Sequence, residues 1–254
     1  MLQMLNFSLL RSGLAVALLG LAPAAGAASA PLQAELDAAV AHYEAGRLTA
    51  AHQAFTALSR RGLPAADYNL AVMHLRCELP QPGAQGGRAL AGDKAGAGRA
   101  CRPTQSSLQR AEQLLLRSAR AGFVTAQLML ARALETGDLG RRDLLQAHRW
   151  YEVAATGGSV DAQVAMATAH YLGRGAARDT VQAARWFRIA AQGGDVGAQY
   201  LVASMFEAGE GVERDLKEAR YWYGVAARNG DNAAPSKVKE LDARLGAPSV
   251  TAPP

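Results

Sequence analysis

The sequence predicts an all-α fold, an α-solenoid of about five helix pairs closed by a terminal capping helix. Three observations carry this. Trp150, Trp186 and Trp222 stand 36 residues apart, each followed by Tyr or Phe and then by a pair of alanines. Ala126-Gln127, Ala162-Gln163 and Ala198-Gln199 keep the same register, as do Asp143, Asp179 and Asp215, and Gly158, Gly194 and Gly230. Between these marks the apolar residues recur with helical spacing. A unit of this length cannot bury its apolar face alone, so repetition at this period implies stacking.

Residues 32–61 are expected to form the first, most divergent pair, with Gly46-Arg47 between its helices. The first helix of the next pair spans 66–76 and the second spans 107–121. Between them, Leu79 to Pro103 contains six glycines and three prolines, so 78–103 is expected to be an exposed, irregular insertion. In the three well-kept units the first helices run from 126 to 136, 162 to 172 and 198 to 208. The second helices run from 143 to 156, 179 to 192 and 215 to 228. Asp143, Asp179 and Asp215 each precede a helix and have Gln146, Gln182 or Glu218 three residues on, the spacing of a capping box. That role explains the aspartates without a metal or an acid catalyst. Lys237 to Leu245 reads as a polar terminal cap, and 246–254 as a disordered tail.

The pattern Ala-Gln-x-x-Leu-Gly-x-x-Tyr, Gly-x-Gly-Val-x-x-Asp, Lys-Ala-x-x-Trp-Tyr-x-x-Ala-Ala-x-x-Gly resembles the Sel-1-like repeat (SLR) family, a relative of the tetratricopeptide repeat. The last unit matches best, through Gly209-Glu210-Gly211-Val212, Asp215, Trp222-Tyr223 and Gly230. Departures fall at Leu134, His170 and Phe206 in place of the tyrosine, and at Leu139 in place of the second loop glycine. The resemblance implies a right-handed superhelix of antiparallel helix pairs, acting as an adaptor or scaffold over residues 32–245. It also implies that the first helices line the concave face. Their non-core positions would be Tyr68 and Val72, Leu128 and Arg132, Val164 and Thr168, Tyr200 and Ser204, with Glu135, Tyr171 and Glu207 one turn on. From these, Tyr68, Arg132, Glu135, Thr168, Tyr171, Tyr200, Ser204 and Glu207 are the candidate binding residues, because Tyr and Arg are apt anchors for a peptide.

At the N-terminus, Arg11 closes a short positive region, Leu14 to Leu21 is an apolar core, and small residues follow through Ala30. This reads as a secretory signal peptide, with cleavage favoured after Ala27. The mature chain is therefore expected to be periplasmic or secreted; an uncleaved N-terminal anchor is the alternative. No later apolar run reaches the roughly 18 residues of a membrane span. In an oxidising compartment, Cys77 and Cys101 are expected to bridge and tie the insertion to the helical body. Closing a loop of about 25 residues is worth roughly 3 kcal/mol. A redox or metal role has less support, since neither a Cys-x-x-Cys nor a nearby histidine accompanies them.

Catalytic constellations are scarce. The five histidines are scattered, and His74 and His170 take the tyrosine position of their helices, where a satisfied or partly buried imidazole is expected. No zinc spacing is present, and no cofactor is expected. Ser236-x-x-Lys239 matches the Ser-x-x-Lys of penicillin-recognising enzymes, but no Ser-Asp-Asn or Lys-Thr-Gly accompanies it. The Gly-x-Gly loops follow no strand and lack a phosphate-binding lysine, so they are turns. Net charge is +5, and losing Arg11 with residues 1–27 leaves +4 (5 − 1). No basic run exceeds two, so Arg60-Arg61 and Arg141-Arg142 read as solvated helix ends or loops and not as a nucleic-acid surface. A basic strip could still draw an acidic partner segment or cell-wall polymer. The tryptophans read as core knobs set against small alanines. The expectation is a non-catalytic protein- or peptide-binding scaffold of the cell envelope; the alternative is an envelope hydrolase built on the repeats.

Overall fold

The computed structural model describes residues 30–79 and 102–246, and every regular element among them is an α-helix. In chain order these are α1 (Ala30–Glu44), α2 (Leu48–Arg60), α3 (Pro64–Leu75), α4 (Gln105–Arg120), α5 (Val124–Thr136) and α6 (Leu144–Thr156). They continue with α7 (Val160–Leu172), α8 (Thr180–Gln192), α9 (Val196–Ala208), α10 (Leu216–Arg228) and α11 (Ala234–Leu245). The fold is the all-α helical repeat that the 36-residue register predicts. Residues 1–27, most of the 78–103 insertion and the tail beyond Gly246 lie outside the described residues. No described helix is long and apolar enough to cross a membrane.

The first helices of the three kept units start two residues earlier than the Ala-Gln marks suggest. For α7 and α9 the cause is Ser159 and Asp195, whose side chains accept from the amides of Ala162 and Ala198 at 3.2 and 2.6 Å, whereas α5 starts after Phe123 with no side-chain cap. The glutamines thus lie inside the first turn, buried. Gln127, Gln163 and Gln199 each reach back eight residues, donating through Nε2 to the carbonyls of Ala119, Ala155 and Ala191 at 3.0–3.2 Å. Each bond ties the end of one helix to the start of the next and answers a carbonyl that helix termination leaves short of partners.

The second helices are capped as their aspartates predict. The Asp143, Asp179 and Asp215 side chains accept from the amides of Gln146, Gln182 and Glu218 at 2.9, 3.0 and 3.1 Å. The reciprocal half of a capping box is replaced. The backbone amides of Asp179 and Asp215 donate instead to the carbonyls of His170 and Phe206, in the last turn of the preceding helix. Glycine has a steric role in the loops of two units. A Cβ on Gly175 would overlap the carbonyl of Leu144, and one on Gly211 the carbonyl of Thr180, so these loops rest directly on a neighbouring second helix. Where Leu139 stands at this position, the leucine is buried and Gly140 makes the approach, next to the Leu108 side chain.

The chain divides into two compact units at Arg142 and Asp143. In the first, α1 to α5 pack consecutively around Leu36, Phe55, Leu58, Met73, Leu114, Leu115, Leu130 and Leu134. In the second, α6 to α11 bury Met166, Phe187, Val202, Tyr223 and Leu241 among alanines. Here the tryptophan expectation needs adjustment. Trp222 is buried, but Trp150 and Trp186 are only half-buried, and the residue after each tryptophan (Tyr151, Phe187, Tyr223) lies deeper. Helix phase explains this. Tyr151 shares one face with Ala147 (i−4), Ala154 (i+3) and Ala155 (i+4), all buried, and Trp150 sits one step round toward the rim. Helix α11 closes the second unit through Ala234 and Leu241 while Arg220 of α10 pairs with its Asp242.

Candidate functional site

In the first unit the expected binding residues divide. Tyr68 and Val72 were placed at non-core positions of α3, but both are 4 % exposed. Helix α3 is buried along nearly its whole length between α2, α4 and α5, so it has no open face there. Tyr68 packs edge-on against Phe123, ring centroids 5.6 Å apart. On α5, Arg132 is exposed and Glu135 half-buried. The Glu135 backbone carbonyl accepts from Arg142 Nε at 2.8 Å.

In the second unit Tyr200, Ser204 and Glu207, which rise along one side of α9, are brought together by Tyr223 of α10. Tyr200 meets the Tyr223 ring edge-on at 5.0 Å. Ser204 hydrogen-bonds the Tyr223 hydroxyl, which also donates to Glu207 at 3.1 Å. Glu207 pairs in addition with Lys237 at 3.3 Å and Arg244 at 3.0 Å, both from α11. Burial alone would raise the Glu207 carboxyl; the bonds from Tyr223, Lys237 and Arg244 outweigh it and hold the group below the ordinary carboxylate range. Burial and the Glu207 hydrogen bond push the Tyr223 phenol well above its usual value. This part of the surface is a preorganised polar cluster with Tyr200 at its apolar edge.

Thr168 and Tyr171 stand apart from that cluster. The Thr168 hydroxyl donates to the Val164 carbonyl one turn back at 2.8 Å. Tyr171 donates to Glu210 at 3.1 Å, and Arg178 lies 5.9 Å over its ring while pairing with Glu210 at 3.6 Å. The hydrogen bond to Glu210 raises the Tyr171 phenol.

One further recurring role escapes a reading of the residues alone. Arg142 and Arg214, directly before the capping aspartates, donate to the carbonyls of Glu135 and Glu207, seven residues back. Each thereby caps the C-terminus of a first helix while its neighbour caps the N-terminus of the second. The recurrence of Arg142, Arg178 and Arg214 in the 36-residue register was the available sign. Of the other arginines read as solvated ends or loops, Arg61 pairs with Glu35 and Arg141 with Glu112.

His148 and His170, both half-buried, meet edge to face at 5.3 Å, and neither Nδ1 has a hydrogen-bond partner. His170 is therefore partly buried as expected, but not satisfied at that atom. Ser236 and Lys239 are both exposed on α11. Cys77 follows α3 with a left-handed backbone, φ 55°, while Cys101 lies outside the described residues. No group of three or more metal-ligating side chains occurs among the described residues.

Comparison with known proteins agrees with this geometry. The Sel1 repeat family model matches residues 124–159, 160–195 and 196–231, the same three units that the caps and glutamine bonds define. A crystal structure of a Sel1 repeat protein from Oxalobacter formigenes is 27 % identical over 76 % of this chain, with a TM-score of 0.60. A protective antigen of uropathogenic Escherichia coli that displays an SLR fold is 22 % identical over 87 % of this chain, with a TM-score of 0.67. The chain spans 49 % and 43 % of those two proteins, about half their length. No curated protein matches it. The three matched repeats, each with its aspartate cap and its glutamine bond back to the preceding helix, make residues 124–231 of this chain an array of Sel1 repeats.

Proposed function

We propose that this chain is a non-catalytic scaffold that binds a protein or peptide in the cell envelope, reached through a signal peptide cleaved after Ala27. Sel1 repeats generally serve as protein-interaction scaffolds. One observation carries the reading for this chain. The polar residues that recur in the three kept units are consumed by architecture, the aspartates in caps and the glutamines in bonds to carbonyls, whereas on α5, α7 and α9 several positions that differ between the units stay partly open. Variation on a fixed frame is how a repeat protein acquires a particular partner. The open candidates are Arg132 and Glu135 on α5, Thr168 and Tyr171 on α7, and Tyr200 with Ser204 and Glu207 on α9. A Cys77–Cys101 bridge belongs to the same proposal, as it would hold the intervening segment in an oxidising compartment.

Site-specific photo-crosslinking in intact cells tests this. Probes at positions 132 and 200 should capture the same envelope protein repeatedly, and Arg132→Glu or Tyr200→Ala should abolish the capture. Capture that both variants leave unchanged would move the binding surface elsewhere. Hydrolysis of nitrocefin or peptidoglycan by the purified protein, abolished by Ser236→Ala, would replace the scaffold reading with an enzyme.

A further inference from the structure

The first unit contains a cavity of about 280 Å³ bounded by α2, α3 and α4. Its polar lining is His52, Thr56, Ser59 and Arg60 of α2, His74 of α3, and Arg110 and Arg117 of α4. No acid shares this lining. Arg117 commits its guanidinium to Asp67 and Ser59. Arg60 and Arg110 pair with no carboxylate among the described residues: Arg110 reaches the Gln113 side chain at 3.4 Å, and nearby Glu112 is turned to Arg141. Two guanidinium charges thus border one concave space without a counter-charge.

We propose that this cavity binds a phosphate dianion, either the free ion or a phosphate monoester carrying a small organic body. The two uncompensated guanidiniums match two negative charges, and their planar forks suit tetrahedral oxyanions bidentately. The volume lies near the lower end of small-ligand pockets, about 300 Å³. His74 supplies a proton-linked contact. The Ser107 hydroxyl donates to the His74 carbonyl at 3.0 Å, so the 3.1 Å contact to Nδ1 has the ring donating to the hydroxyl. In the neutral ring the proton therefore sits on Nδ1, and Nε2 becomes a donor only when the imidazole is charged. Burial, Arg110 and His52 hold His74 below its ordinary value, and burial does the same to His52. The groups around His74 are His52 and Arg60 from α2, and Arg110 and Arg117 from α4, with Asp67 of α3 behind Arg117. All those in the lining are basic, so a bound dianion raises the histidines and is bound more tightly as pH falls.

The site does not depend on the scaffold reading, and its test needs no protein partner. Titration calorimetry on the full chain at physiological ionic strength would use inorganic phosphate, glycerol 3-phosphate and a phosphoserine tripeptide. The expected result is saturable binding, weakened about tenfold by either Arg60→Gln or Arg110→Gln, which each remove one charged hydrogen-bonding fork. Because a phosphate monoester takes up its own proton near pH 6, affinity is expressed per dianion; so expressed, it should tighten between about pH 7.5 and pH 6, and His74→Gln should reduce that slope. Circular dichroism melts would establish that the exposed-arginine variants remain folded. Glycerol 3-phosphate binding more tightly than the peptide assigns the site to a free small molecule; the reverse assigns it to a phosphorylated chain. Absence of saturable binding to all three, or unchanged affinity in both arginine variants, overturns the proposal.

Discussion

Gly211 lies so close to the carbonyl of Thr180 that a methyl group on its α-carbon would overlap the oxygen and reach 3.0 Å from the Val181 nitrogen. Its backbone is also left-handed, at φ 69°. Two independent costs therefore fall on Gly211→Ala: a left-handed alanine, at about 1 kcal/mol, and backbone overlap that must be relieved by movement, at roughly 1–3 kcal/mol. Gly158 separates them, since it is left-handed but has nothing within 4 Å of a built Cβ. Thermal and urea unfolding should show Gly211→Ala losing about 2–4 kcal/mol and Gly158→Ala about 1 kcal/mol. Equal losses would mean that the loop does not need this close approach.

The glutamine bonds to carbonyls predict a second ranking. Gln199 has both ends engaged, because its Oε1 also accepts from Asn229 at 3.0 Å, whereas Oε1 of Gln163 and of Gln127 has no partner. Removing a buried hydrogen-bonding side chain costs about 1–3 kcal/mol. The loss is softened here because the Ala191 and Ala155 carbonyls keep bonds from Gly194 and Gly158. Gln199→Ala should therefore cost about 2 kcal/mol and Gln163→Ala about 1 kcal/mol. Gln199→Met, which keeps the volume, should recover little if hydrogen bonding is the cause. Full recovery would assign the role to packing.

Much of this fold was legible because a 36-residue period repeats each signal three times. Asp143, Asp179 and Asp215 could be read as caps since a cap is local, needing an acceptor and an amide three residues on. The glutamine bonds were less legible. Their partners, Ala119, Ala155 and Ala191, lie eight residues back across a turn, and an Ala-Gln pair looks the same whether its amide faces water or a carbonyl. The depth of Tyr151, Phe187 and Tyr223 relative to their tryptophans was hidden for another reason. Adjacent residues differ by about 100° on a helix, and both arcs touch the same alanines. Tyr68 misled because its position is open in other units, while α3 is enclosed by three neighbouring helices. The basic cavity joins α2, α3 and α4 across the insertion, which no repeat spacing encodes.

Glu207 predicts an acid-dependent loss. Its carboxyl is held below the ordinary range in the folded state, so the stability it contributes is fully present above the unfolded glutamate value and is lost as pH falls through the lowered one. Glu207→Gln keeps one acceptor for Tyr223 but leaves Lys237 and Arg244 without this carboxylate. At neutral pH the variant should lose about 1–2 kcal/mol. The gap between wild type and variant should narrow as both are acidified below the ordinary glutamate range, because the wild-type carboxyl then takes up a proton. A gap independent of pH would show that the charge of Glu207 contributes nothing to the cluster.

His148 gives the opposite kind of pH sensitivity, at milder acidity. Burial lowers its imidazole first and the neighbouring His170 lowers it further, while Glu152 works against both. Charging His148 is therefore harder in the folded chain than in the unfolded one. Stability is complete above the unfolded value of about 6.5 and falls as pH drops below it toward the lowered one. His52 and His74 share this direction, so wild type should melt at a lower temperature at pH 5.5 than at pH 7.5 by more than any one histidine explains. His148→Phe keeps an aromatic edge for the His170 ring, from which it now stands 5.3 Å, and cannot take a proton. The variant should show a smaller drop in melting temperature between those two pH values, with His52→Phe as an independent comparison in the other unit. An undiminished drop in His148→Phe would mean that the pair accepts a proton in the folded state without penalty. His170, on the far side of the contact, would then be the group to titrate by NMR.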